Sequence, residues 1–277
     1  MNLTSVNEVR ELLKSQNIRP KHGLGQNFLI DSNVADNIAK SVSDGTGYGL
    51  EIGPGLGVIT SRLGNMKELI CVETDPDMIQ CLSVTCKDLN NINLINKDFM
   101  EVSLSEILSE DRKYTAFGNL PYYITTPIVI KLIENRKYFS SVVMMVQKEV
   151  ADRMKAKPGG KEYGALSVLV QFYGKCELVC NVSRNCFYPA PNVNSAVVKI
   201  NLYDSPLFDT DEDLYFRIVR ASFGKRRKTL LNALSNSEFL NYTKDEIAKA
   251  LEKSGISPGL RGETLSLEDF AKISRSL

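Results

Sequence analysis

The chain lacks tryptophan altogether and has one histidine among 277 residues. That histidine, His22, sits between Lys21 and Gly23 in a polar loop and reads as solvated. A lone imidazole so placed weakens any Ser-His-Asp or Cys-His scheme of nucleophilic catalysis. The six cysteines, Cys71, Cys81, Cys86, Cys176, Cys180 and Cys186, include no Cys-x-x-Cys pair. Spacing therefore offers no zinc site, no metal is expected, and free thiols of a reducing compartment are the ordinary reading. No run of eighteen apolar residues occurs, so no transmembrane helix is expected. Asn7, Glu8, Arg10 and Glu11 break the N-terminal apolar pattern, which speaks against a secretory signal and makes the cytoplasm the expected location.

Apolar residues make up 43% and charged residues 24%, as in ordinary soluble globular proteins, and the length suits one large domain or a large plus a small one. The net charge of +1 describes no uniformly basic surface. Its distribution is uneven. Asp204, Asp209, Asp211, Glu212 and Asp213 precede a block of Arg217, Arg220, Lys225, Arg226, Arg227 and Lys228. A local basic run beside an acidic one makes a directional surface, readable as a phosphate-binding face or as a solvated helix face.

Helical patterns cover the first forty residues, with a break at 19–26 where Pro20, Gly23 and Gly25 fall. Ser5 and Glu8 have the spacing of a capping box. From Tyr48 short apolar strands alternate with helical stretches: strands at 49–52, 69–73, 92–95, 115–117 and 142–146, helices at 58–63 and 78–89 among those between. This alternation predicts an α/β domain with a mostly parallel sheet and helices on both faces. A helix at 163–173 follows, and strands at 177–182 and 196–202 predict a final antiparallel pair. After Tyr203 strand signals vanish, and helices are predicted at 216–234, 244–253 and 267–273. The expected division is a catalytic domain of residues 1–204 and a small all-α domain of 205–277.

Three features carry chemistry. Glu51-Ile52-Gly53-Pro54-Gly55-Leu56-Gly57 sits where the first strand gives way to a helical pattern, and its glycines allow backbone to approach a ligand. The dinucleotide pattern G-x-G-x-x-G needs glycine at position 58, which is Val58, so that reading fails by one residue. E-x-G-x-G-x-G is the spacing of Rossmann-like S-adenosylmethionine enzymes. Glu73, ending the next strand, can accept from both hydroxyls of a ribose. Asp98, after the third, can accept an adenine amino group. Asn119-Leu120-Pro121-Tyr122 ends a fourth apolar strand: an amide oxygen, carbonyls beside a proline and a flat ring, suited to gripping a planar amine.

Together with Gly25-Gln26-Asn27-Phe28-Leu29, the segment from Phe187 to Val198 (FYPAPNVNSAVV), Lys225-Arg226-Arg227-Lys228-Thr229-Leu230 and Arg261-Gly262-Glu263-Thr264-Leu265-Ser266, these motifs occur in order over residues 12–273. The chain resembles the ribosomal RNA adenine dimethyltransferases, and among them the bacterial small-subunit members. The resemblance implies S-adenosylmethionine as methyl donor, contacted by Asn27, Leu29, Gly53, Gly55, Glu73, Asp98 and Asn119. It implies N6,N6-dimethylation of two adjacent adenosines near the 3′ end of 16S ribosomal RNA, within the small subunit or its late precursor. The basic block Arg217, Arg220, Lys225, Arg226, Arg227 and Lys228 would then bind RNA phosphates. Tyr123 and Asn194 stand where bacterial relatives usually carry Asn and many carry Asp.

On this reading Asn119 and the Leu120 or Pro121 carbonyl hold N6, and Tyr122 and Phe187 sandwich the adenine, with Phe187 as a core anchor the competing reading. A monomer is expected. The rival classes are a non-catalytic ribosome-assembly factor that keeps the fold for docking, an Erm-like enzyme of large-subunit RNA, and a DNA adenine methyltransferase. Erm enzymes usually carry Ser and Lys where this chain has Pro54 and Leu56.

Overall fold

The computed structural model describes all of residues 1–277 other than Asp44 and Arg226, with His22 described through its backbone alone. The expectations for Arg226 and for the His22 side chain therefore lie outside the described residues. The chain forms two compact units, Met1–Ala151 with Lys175–Leu202, and Asp152–Gly174 with Tyr203–Leu277.

In the first unit the strands are β1 (Phe28–Leu29), β2 (Tyr48–Ile52), β3 (Glu68–Glu73), β4 (Ile92–Asn96), β5 (Tyr114–Asn119), β6 (Phe139–Gln147), β7 (Gly174–Val182), β8 (Phe187–Tyr188) and β9 (Ser195–Leu202). Seven of them make one sheet in the order β4-β3-β2-β5-β6-β9-β7. The pairs β2/β3, β3/β4, β2/β5 and β5/β6 are parallel, and β9 runs antiparallel to β6. β2, β3 and β5 are buried along nearly their whole length, as parallel strands covered on both faces must be. The order also sets the location of any ligand site. The chain steps outward from β2 to β3 to β4, then returns to lay β5 on the other side of β2. Crevices form at such a reversal, outside the carboxyl ends of the strands.

Two local departures bear on the site. The helix expected at 58–63 is only a 3-10 turn, Thr60–Arg62. The Thr60 hydroxyl is drawn 2.7 Å from the buried Glu51 carboxylate, and β3 begins again at Glu68, leaving no length for an α-helix. The two-residue ribbon of β1 with β8 was not expected; it sets Leu29 opposite Phe187 and ties the Gly25–Leu29 segment to the distant proline loop. Ser5 caps the helix Val6–Ser15 through the Glu8 N–H, but the Glu8 carboxylate turns to the Asn2 N–H, so only half of the capping box forms.

The second unit takes residues 152–174 as well as the C-terminal helices, so its boundary differs from the expected 204/205. Aromatic packing explains this. Phe172, on the helix Ala165–Tyr173, lies 4.5 Å from the Tyr215 ring and 5.2 Å from Phe216 between centroids. The buried Tyr163 donates its hydroxyl to the Leu265 carbonyl at 3.0 Å. Burying each such ring is worth roughly 1.5–3 kcal/mol, enough to commit the segment to this core. The single helix expected at 216–234 is two, Glu212–Gly224 and Leu230–Ser235. Thr243 and Glu246 complete a reciprocal capping box at Lys244–Lys253.

Candidate active site

A cleft of about 150 Å³ opens at the carboxyl ends of β2 to β5, where the strand order reverses. Asn27, Gly53, Gly55, Glu73, Asp98 and Asn119 all line it. Leu29 lines an adjoining cavity of about 40 Å³ that shares Asn27, Gly53, Gly55 and Asn119 with the cleft. The structure thus brings together seven residues drawn from five separate segments of the sequence.

The backbone builds the floor. Gly53 and Gly55 have φ of +67° and +57°, the left-handed region that glycine enters without cost. Beyond Gly53 and its two chain neighbours, no atom lies within 4 Å of where a Cβ would stand there. Gly118 serves close approach instead: a Cβ there would meet the Ile52 carbonyl oxygen at 2.3 Å. Only glycine lets β5 bring Asn119 up beside the end of β2.

Glu73 is buried, and burial raises its pKa, opposed by the N–H groups of Asp75 and Gly55. Its two oxygens accept those N–H groups at 2.9 and 3.1 Å, which fixes the carboxylate plane while each oxygen keeps a second lone pair. Asp98 is exposed at the mouth and accepts the Met100 N–H at 2.8 Å, so one oxygen orients the loop. Asn119 donates its amide N–H to the Asn27 carbonyl at 3.0 Å, and Asn27 donates its own to the Gly25 carbonyl at 3.0 Å. With its nitrogen committed, the Asn119 amide must present oxygen on the opposite side.

The Pro121 carbonyl already accepts the Ile124 N–H at 3.2 Å and the Thr125 hydroxyl at 3.1 Å. Both lone pairs are used, so Pro121 contributes shape rather than an acceptor. The Leu120 carbonyl accepts no hydrogen bond among the described residues, while the Leu120 side chain is buried and its N–H is held by Met145. Tyr122 is half-buried, its hydroxyl 2.7 Å from that of Ser195 at the start of β9. Burial raises its pKa, so it stays a neutral phenol. Tyr123, 65% exposed, lines the cleft. Neither Tyr122 nor Phe187 lines it, and Phe187 is 3% exposed within the hydrophobic core, held by the ribbon opposite Leu29. The expected sandwich partner is therefore a core anchor, and the open ring beside the cleft is Tyr123.

Of the supporting residues, Lys131, Asp75 and Lys21 carry no sequence motif that announces them. Lys131, on the helix Thr125–Glu134, donates to the carbonyls of Phe99, Met100 and Val102 at 2.6, 2.9 and 2.7 Å and lies 5.0 Å from the Phe99 ring centroid. It staples the Asp98–Phe99 loop to the helix that follows the Asn119 turn. Asp75 caps the helix Pro76–Thr85 and takes Lys21 and Gln26 on its two oxygens, each at 2.7 Å. Gln26 thereby locks the Gly25–Leu29 segment to the loop after β3. Beneath the glycine turn Glu51 is fully buried, and desolvation pushes its pKa up to about 7.

The donor set tests which cofactor fits. Two carboxylates and three amides line the cleft, which would repel a pyrophosphate and suits a nucleoside with free hydroxyls and a cationic group. A mostly parallel sheet of this order with such a cleft defines a Rossmann-like S-adenosylmethionine-dependent methyltransferase. Within that class the chain belongs to the ribosomal RNA adenine dimethylase family, whose model matches residues 17–277. A Clostridioides difficile protein named ribosomal RNA small subunit methyltransferase A is 43% identical, over 98% of this chain and 96% of that protein. A Lachnoclostridium phytofermentans protein of the same name is 44% identical, over 90% of this chain and 89% of its own. The crystal structure of a dimethyladenosine transferase from Plasmodium falciparum superposes with a TM-score of 0.76 at 28% identity, covering 88% of this chain and 95% of that one. The 23S rRNA methyltransferase ErmE shares the fold, with a TM-score of 0.68 at 24% identity over 91% of this chain and 99% of that one.

In the second unit Arg220, Lys225, Arg227 and Lys228 are exposed at and beyond the end of the helix Glu212–Gly224. Arg217 is paired with Asp213 at 2.9 Å, and Lys225 donates to the Asn236 carbonyl at 2.9 Å.

Proposed function

We propose that this chain transfers methyl groups from S-adenosylmethionine to N6 of two adjacent adenosines near the 3′ end of 16S ribosomal RNA, twice on each, in the small subunit or its late precursor. The observation that carries this is the Asn119 amide, whose nitrogen is tied to the Asn27 carbonyl so that its oxygen is the group offered. The relatives named for the small subunit, matched over nearly their whole length, support the choice of RNA.

Asn27, Leu29, Gly53, Gly55, Glu73 and Asp98 would hold the cofactor, whose sulfonium supplies an electrophilic methyl. The N6 lone pair of adenine is delocalised into the ring and is a poor nucleophile. Hydrogen bonds from N6–H to the Asn119 oxygen and the Leu120 carbonyl favour a pyramidal nitrogen and aim its lone pair along the cleft. No strong base is needed, because the proton becomes acidic only once the new N–C bond has formed. Positioning supplies the rate, and well-oriented reactants gain about 7–11 kcal/mol. Tyr122 flanks the extruded base, and stacking on one ring is worth roughly 1–3 kcal/mol. After the first methylation only one N6–H remains, so Asn119 and the Leu120 carbonyl must share the work across rounds. The exposed basic residues Arg220, Lys225, Arg227 and Lys228, with Arg217 and Arg226, would bind phosphates.

The test uses purified small subunits lacking dimethyladenosine, large subunits and duplex DNA, each offered with labelled S-adenosylmethionine. Label in small-subunit RNA alone is expected. Label in the other two substrates would move the assignment, and no label with no thermal stabilisation by the cofactor would leave a docking factor.

A further inference from the structure

A second opening of about 400 Å³ lies in the first unit and shares no lining residue with the cofactor cleft. Gln147, Lys148 and Glu149 form one wall, and Arg184, Asn192 and Asn194 another. Asn194 ties the first wall to the second and braces the second internally. The Asn194 carbonyl accepts the Lys148 N–H at 3.0 Å, and its side-chain oxygen accepts the Arg184 N–H at 3.0 Å. The lining is two cations, one carboxylate and three amides, with Val193 43% exposed at the rim. The next residue, Ser195, pairs with Gln147 across β6 and β9 and meets the Tyr122 hydroxyl at 2.7 Å. The opening is therefore one residue removed from the group that touches Tyr122.

Cationic and amide groups around an open cleft match a phosphodiester and its sugar, since most protein contacts to nucleic acid go to those groups. We infer that this opening holds the stretch of RNA strand adjoining the extruded adenosine. Arg184 takes a phosphate oxygen, the Asn192 and Gln147 amides take the neighbouring phosphate or sugar oxygens, and Val193 lies against the sugar. The inference rests on the proposed RNA substrate and adds to it a binding subsite on the catalytic unit itself, apart from the basic residues of the second unit. It gives the enzyme a way to set the register of the strand at the Asn119 turn, which the cofactor cleft alone does not supply.

The test measures methylation of small subunits by wild type, Arg184→Ala, Arg184→Lys and Asn192→Asp across a range of salt, with cofactor affinity read separately by calorimetry. Arg184→Ala is expected to raise KM for the subunit roughly tenfold, the scale of one lost hydrogen bond to a charged group. The slope of log affinity against log salt should fall by about 0.7–0.9, as for one phosphate contact. Arg184→Lys should recover part of the loss, Asn192→Asp should weaken binding, and cofactor affinity should not move. An unchanged subunit KM and salt slope in Arg184→Ala would overturn the inference. If the wild type methylates no subunit, the proposed function itself fails, and filter binding of subunits then reads the contribution of Arg184 directly.

Discussion

Glu51 gives the sharpest quantitative test of how the glycine turn is built. Its carboxyl is fully buried, accepts the Thr60 hydroxyl at 2.7 Å and has its pKa pushed up to about 7 from 4.5, chiefly by desolvation. The native state then binds more protons than the unfolded chain between those values. Stability from this group is full below about pH 4.5 and is lost as pH rises through about 7. At about 1.36 kcal/mol per pKa unit, the charged form costs roughly 3 kcal/mol above that window. Glu51→Gln keeps an acceptor for Thr60 and removes the charge. It should therefore be more stable than wild type by roughly 3 kcal/mol at pH 8.5, and about equal to it at pH 4.5. Urea unfolding followed by circular dichroism at both pH values measures this; the absent tryptophan rules out the usual fluorescence probe. A stability difference that is the same at both pH values, or a variant less stable at pH 8.5, would refute the reasoning.

Lys131→Met should lower stability by about 1–3 kcal/mol, since three carbonyls lose a charged donor at a site water can partly reach. It should also weaken cofactor binding through the Asp98 loop, read by calorimetry with S-adenosylhomocysteine. Gly118→Ala drives a methyl against the Ile52 carbonyl and should cost about 1–3 kcal/mol by overpacking, with loss of cofactor binding, seen in thermal unfolding with and without ligand.

The sheet was legible in the sequence because buried parallel strands read as short apolar runs, and the acids at their ends fell where such sheets bind ligands. The glycine spacing, Glu73, Asp98 and Asn119 needed only those strands to converge. Lys131 left no such trace. It is one cation on an apolar helix, and its partners are carbonyls, which no side-chain pattern marks. Phe187 misled for a related reason: an aromatic beside a proline loop looks the same whether it faces a cleft or the core, and its burial depends on pairing with Leu29 across 158 positions of chain. The transfer of residues 152–174 to the second unit follows from the packing of Phe172 against Tyr215 and Phe216, a contact between segments that helical periodicity treats separately.

The central claim is that the Asn119 amide and the Leu120 carbonyl hold N6 through two methylations. It is tested most directly by mass spectrometry of RNA from unmethylated small subunits treated with wild type or Asn119→Ala in the presence of S-adenosylmethionine. Two dimethyladenosines per subunit are expected with wild type and none with the variant, whose cofactor binding is checked in parallel. Full dimethylation by Asn119→Ala would contradict it.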